Sequence, residues 1–184
     1  GSFIIIVFNQ IGQIPLIFAV PTDIVLEPDS NPMDILKSIP SNLRLFLILL
    51  SSLITVPGIW LVVTKLHELS FKTIVTMRKK VDYNRIIFSF LLWGSIVTTF
   101  VIIGYFISPE NYELNFKLKE FLILSVIAIF LIPVQTTVEE LVFRGYLMQG
   151  FGGLFNSRLM GLLFTSIIFG GLHLLNPEVK ALGY

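Results

Sequence analysis

The reading turns on residues 133–146, Pro133-Val-Gln-Thr-Thr-Val-Glu139-Glu140-Leu-Val-Phe-Arg144-Gly-Tyr146. Two adjacent carboxylates and a guanidinium are set there among apolar residues. An ionisable side chain at membrane depth costs roughly 2.5–3.5 kcal/mol on insertion scales, so each one needs a partner or a task. Whether this stretch is at membrane depth depends on what surrounds it.

Its surroundings are strongly apolar. Of 184 residues 54% are hydrophobic and only 14% charged, against roughly 25% charged in a soluble domain, and mean hydropathy is +0.85. Several runs approach the ~20 residues that span a bilayer as a helix. The expected fold is all-α, a polytopic transmembrane bundle of about five spans in one membrane-embedded domain, at about 3–20, 43–63, 86–107, 120–148 and 158–175. The run Phe3–Val20 has neither a basic n-region nor a small-residue cleavage site, so it reads as a membrane helix and not a signal peptide. A formal net charge of +1 with no basic stripe argues against nucleic acid. With no cysteine, disulfides, thiolate metal sites and a cysteine nucleophile are excluded.

Between the runs, Pro21 to Ser41 reads as a proline-broken acidic loop, and Gly150 to Ser157 as a flexible turn. Lys65 to Arg85 collects Lys65, Lys72, Arg78, Lys79, Lys80 and Arg85 against Glu68 and Asp82. Such an excess of basic residues places loop 64–85 in the cytoplasm, beside anionic lipid headgroups. His67, within that loop and far in sequence from the carboxylates, reads as a surface histidine. Asn9, Gln10 and Gln13 in the first span read as amides that bond to neighbouring helices. Pro57 and Pro133 are expected to bend their helices.

The charged cluster can do more than pin helices. Glu140 and Arg144 are i,i+4 neighbours on one helical face, and the planar guanidinium is the natural partner of a buried carboxylate. Glu139 is turned about 100° away, so one carboxylate is paired and the other is free to act as a base. His173 lies in the last apolar run, in Phe169-Gly-Gly-Leu-His173. Antiparallel packing would bring it to the depth of the carboxylates, with Gly170-Gly171 allowing close approach. A carboxylate and an imidazole sharing one water suit peptide hydrolysis. No phosphate-binding glycine loop, Gly-x-Ser-x-Gly or His-Glu-x-x-His is present. Glu139, Glu140 and His173 fall short of a convincing zinc set.

Glu139-Glu140-Leu-Val-Phe-Arg144 resembles the Glu-Glu-x-x-x-Arg signature of the CAAX protease and bacteriocin-processing (CPBP, Abi) family, which includes the Rce1-type CAAX prenyl endopeptidases. Phe169-Gly-Gly-Leu-His173 is similar to that family's Phe-x-x-x-His motif. The likeness covers about residues 120–184. It implies an intramembrane endopeptidase in which Glu139 activates water and His173 helps to place it. Glu140 and Arg144 support them, and Phe143 and Phe169 lie near the site. Members were first described as metalloproteases, so zinc stays open, with Glu139 and His173 as candidate ligands. The partners implied are membrane lipids and a peptide or lipidated-protein substrate.

The family's further His-x-x-x-Asn-type motif does not occur in these residues, so the sequence is expected to be C-terminally incomplete or a natural short member. The alternative function is a non-catalytic membrane protein of the same family, a bacteriocin-immunity or scaffolding factor that keeps the ion pair for packing. A proton-relay transporter would want a repeated half or paired broken helices, and neither is visible.

Overall fold

A computed structural model describes residues 1–21, 32–75 and 82–174. Among them the chain is helical, with no strand: α1 Ser2–Phe18, α2 Pro32–Lys37, α3 Ser41–Leu66, α4 Lys72–Val75, α5 Tyr83–Ile107, a 3₁₀ turn Pro109–Asn111, α6 Leu118–Leu154 and α7 Arg158–Leu174. Three of these, α3, α5 and α6, are long and apolar enough to cross a membrane, while α1 and α7 are apolar helices of 17 residues each. The chain is an all-α polytopic membrane bundle. Helices dominate because lipid offers no partners to backbone N–H and C=O groups, which a helix satisfies within itself.

The packed part of the bundle is built on α3. α1 runs antiparallel along it, with Ile5 joining Ile59, Val62 and Val63 in the core. Small residues set the distance between the two. A Cβ at Gly12 would meet the Ser51 backbone, and one at Gly58 would come within 2.7 Å of the Phe8 ring. Asn9 donates to Thr55 Oγ1 at 3.2 Å, the bond to a neighbouring helix expected of a polar group in a span, whereas Gln13 donates to Asn9 of its own helix at 3.0 Å. α6 lies on another flank of α3 and parallel to it. Asn42 donates to the Glu120 carbonyl at 3.0 Å near their starts, and Val138 and Leu141, midway along α6, join the core around Val62 near the end of α3.

α5 behaves differently. Its N-terminus is capped by the Asp82 side chain, which accepts from the Arg85 amide and pairs with its guanidinium at 3.0 Å. None of its residues is buried. It is apolar all round, and apolar side chains gain nothing by leaving lipid for another helix.

Three stretches depart from expectation. The proline-rich segment is not all loop: α2 begins at Pro32, and a proline at the first helical position gives up an N–H that would be unpaired anyway. Residues 22–31 lie outside the described residues. The basic loop contains α4, and residues 76–81, with Arg78, Lys79 and Lys80, also lie outside. The glycine-rich segment 150–157 is not a free turn either. α6 continues to Leu154, and Phe155–Ser157 close the turn with Asn156 at φ 50°, a left-handed conformation that asparagine tolerates.

Candidate functional site

α6 is not uniformly α-helical. Leu118–Glu140 is α, Leu141–Leu147 is π-helical and Met148–Leu154 is α again. The wide segment therefore begins at the residue after the carboxylate pair. Single π turns inside α-helices occur frequently at functional sites.

Around this segment the carboxylates are told apart. Arg144 Nη1 donates to Glu140 Oε2 at 2.9 Å. Glu139 is half-buried, and its Oε1 accepts from Gln135 Nε2 at 2.6 Å. The cation is thus used by Glu140, whereas Glu139 has a neutral amide for a partner. Gln135 stands four residues before Glu139, a spacing at which helical side chains meet. Sequence reasoning overlooked it, although that spacing was visible.

α7 folds back antiparallel on α6, and its approach is fixed by Gly161. A Cβ there would lie 2.7 Å from the Met148 carbonyl oxygen and 3.0 Å from the Gly152 nitrogen. Phe151, Phe155 and Phe164 stack beside the turn, with centroids 4.8–6.4 Å apart. Phe143 and Phe169 are each eleven residues from the turn-facing end of their helices, and they meet edge-to-face with centroids 5.0 Å apart. By the same register Glu139 and His173 are each fifteen residues from those ends, roughly 22 Å along the axis, at one depth.

A cavity of about 140 Å³ lies between the two helices, walled by Glu139, Glu140, Phe143 and Arg144 on α6 and by Thr165 and Phe169, among others, on α7. Thr165 is buried and gives its hydroxyl proton to backbone carbonyls of its own helix, Gly161 at 2.8 Å and Leu162 at 3.1 Å. His173 is not in this wall. Its ring rests on Phe169, centroids 4.3 Å apart, and Nδ1 is 2.9 Å from the Phe169 carbonyl oxygen. A carbonyl only accepts, so Nδ1 carries a proton, and in that tautomer of the imidazole the lone pair is on Nε2.

The structure thus brings Glu139, Glu140, Phe143, Arg144 and Phe169 around one cavity and leaves His173 one helical turn beyond it. Gly170 and Gly171 do not mediate close approach: among the described residues a Cβ at either would meet nothing within 4 Å. Gly161 performs that role. His67, read as a remote surface residue, stands 3.0 Å from the Tyr146 hydroxyl on the motif helix. No group of three or more His, Cys, Asp or Glu that could hold a metal occurs among the described residues. Catalytic zinc takes three protein ligands, and the donors among the described residues do not make such a set.

Comparison with known proteins agrees with the motifs. Residues 118–184 match the family model described as type II CAAX prenyl endopeptidase, Rce1-like. That match begins at the first residue of α6 and takes in both motifs. The chain is also 32% identical over 173 residues to YyaK, an uncharacterised protein of Bacillus subtilis (strain 168), an alignment covering 92% of this chain. The chain spans 58% of that relative's length. No solved structure matches it.

Proposed function

We propose, taking as premise that residues 118–184 are an Rce1-like segment, that this chain belongs to an intramembrane endopeptidase hydrolysing a peptide bond with a water activated by Glu139. The observation that carries the reading is the division of labour between neighbouring carboxylates. Arg144 is held by Glu140 at 2.9 Å, while Glu139 faces the inter-helix cavity with a neutral partner.

In this mechanism one O–H of the water donates to Glu139 and the other to Nε2 of His173. The oxygen lone pair is thereby turned towards the scissile carbonyl. Glu139 takes the proton as the water oxygen bonds to the carbonyl carbon. The tetrahedral intermediate then collapses, the C–N bond breaks, and the proton passes from Glu139 to the leaving nitrogen. Glu140 and Arg144 fix the turn of α6 that presents Glu139, and Phe143 and Phe169 supply an apolar wall. The substrate would be a peptide or lipidated protein reaching the site from the bilayer, with loop 64–85 on the cytoplasmic side.

A non-catalytic scaffolding or immunity role has one observation in its favour, the position of His173 outside the cavity wall. Glu139→Gln separates the two. Glutamine keeps an oxygen to accept from Gln135 but cannot take a proton from water. Cleavage of a peptide library by the protein in proteoliposomes should be abolished with the thermal unfolding midpoint unchanged. Equal cleavage by variant and wild type would sink the assignment, and a wild type that cleaves nothing would favour the scaffolding role.

A further inference from the structure

The register of α6 is set between its two halves. The π segment Leu141–Leu147 lies after Glu139 and Glu140 and before the turn that brings α7 back. A π turn closes i→i+5 hydrogen bonds in place of i→i+4, so it carries one residue more than an α turn. If the segment relaxed to α, everything beyond it would rotate by about 100° and shift by about 1.5 Å relative to the glutamates. Phe169 reaches the cavity, and His173 its place one turn beyond, only through that later part, so the wide turn decides which face of α7 meets Glu139.

On its far side the segment packs through Leu141, Val142 and Tyr146 on the core of Ile5, Val62 and Ile74. Arg144 and Tyr146 are two residues apart and so point to nearly opposite sides of the helix. On the Arg144 side Phe143 leans on Phe169. On the Tyr146 side is a cavity of about 460 Å³, bordered by Val63, His67, Gly145, Tyr146, Leu147 and Gln149 among others. Close contacts cross that flank, among them the approach of Tyr146 to Gly1 at the start of α1. Gly145 sits so near α4 that a Cβ would be 3.0 Å from the Ile74 carbonyl oxygen. The Tyr146 hydroxyl is 3.0 Å from Nε2 of His67, with ring centroids 5.6 Å apart. His67 itself follows a second π turn, Val62–Leu66, at the end of α3. The two irregular turns thus share a packed core through Val62 and Leu141, and the His67–Tyr146 hydrogen bond is the polar link beside it.

We propose that His67 is a positioning residue. Through Tyr146 it holds the π register of Leu141–Leu147, and thereby sets α7, with Phe169 and His173, against Glu139. The inference rests on the endopeptidase reading for its catalytic consequence, but not for its structural one.

Amide hydrogen exchange of the full chain in detergent tests the structural part without substrate. His67→Ala and Tyr146→Phe should each speed exchange in peptides covering 141–147 by about twofold to tenfold, the worth of one hydrogen bond. The double variant should match the singles, because one bond cannot be lost twice. Peptides from 51–60 should be unaffected. Unchanged exchange at 141–147, additive effects, or a uniform rise throughout would overturn the proposal. In cleavage assays the same variants should lower kcat with KM unchanged, and His67→Gln, which can still bond the hydroxyl, should recover most of it. A wild type without cleavage would refute the endopeptidase reading and leave the exchange result to decide the latch. A loss confined to KM would refute the positioning role alone.

Discussion

Alanine at Gly161 tests the hairpin that brings the two motifs together. The added Cβ would stand 2.7 Å from the Met148 carbonyl oxygen and 3.0–3.1 Å from the Gly152 nitrogen and Cα. These are backbone atoms of a packed helix, so α6 and α7 must separate by several tenths of an ångström. Overpacking of this kind costs about 1–3 kcal/mol. Removing a mid-helix glycine also stabilises the helix by about 0.5–1 kcal/mol, which would mask part of the loss. Gly170→Ala provides the correction, since it lies on the same helix and its Cβ meets nothing within 4 Å among the described residues. The propensity gain is common to both and cancels in the difference. Gly161→Ala should therefore be less stable than Gly170→Ala by about 1–3 kcal/mol, roughly 5- to 150-fold in the unfolding constant. Reversible denaturant unfolding in mixed micelles, followed by circular dichroism, measures that difference. Two variants within about 0.5 kcal/mol of each other would refute the reasoning that Gly161 sets the approach of α7.

Two further outcomes follow from the fold. Thr55 is 2% exposed, accepts from Asn9 and donates to the Ser51 carbonyl at 2.7 Å, so Thr55→Val should lower stability by about 0.6–2 kcal/mol. Unchanged denaturant unfolding would mean the α1–α3 amide contact holds nothing. The cysteine-free chain allows single-cysteine mapping: in intact cells Leu114→Cys should react with an impermeant thiol reagent, and Lys65→Cys only after lysis. The reverse pattern would invert the cytoplasmic placement of loop 64–85.

The parts legible in the sequence were those fixed by composition and by contacts within one helical turn. Apolar runs long enough for a bilayer became helices, and the i,i+4 spacing of Glu140 and Arg144 became an ion pair. The glycines were harder. Gly170 and Gly171 stand beside the motif histidine and look like a packing surface, yet Gly161 makes the contact, because only the register of the returning helix decides which glycine faces α6. The glycine-rich stretch after Met148 carries turn signals by composition. It nevertheless stays helical to Leu154, and the turn itself is confined to Phe155–Ser157. The pairing of His67 with Tyr146 spans 79 positions and depends on α3 and α6 running parallel, which no local pattern encodes.

The wide turn at Leu141–Leu147 accounts for why the site was half legible. Residue types mark Glu139, Glu140 and Arg144 as candidates, and the i,i+4 spacing singles out Glu140 as the carboxylate that pairs with Arg144. Beyond Glu140 the periodicity changes, and no residue in Leu-Val-Phe-Arg-Gly-Tyr-Leu announces an i→i+5 turn. A uniform α-helix would have placed every later residue about 100° from where it stands. The depth of His173 could still be estimated, because rise along the axis is nearly indifferent to one extra residue. Its azimuth could not, because azimuth changes by a quarter-turn or more for that same residue. Depth was therefore readable from sequence, whereas orientation across the candidate site depends on the π turn and on contacts between distant residues, such as that of His67 with Tyr146.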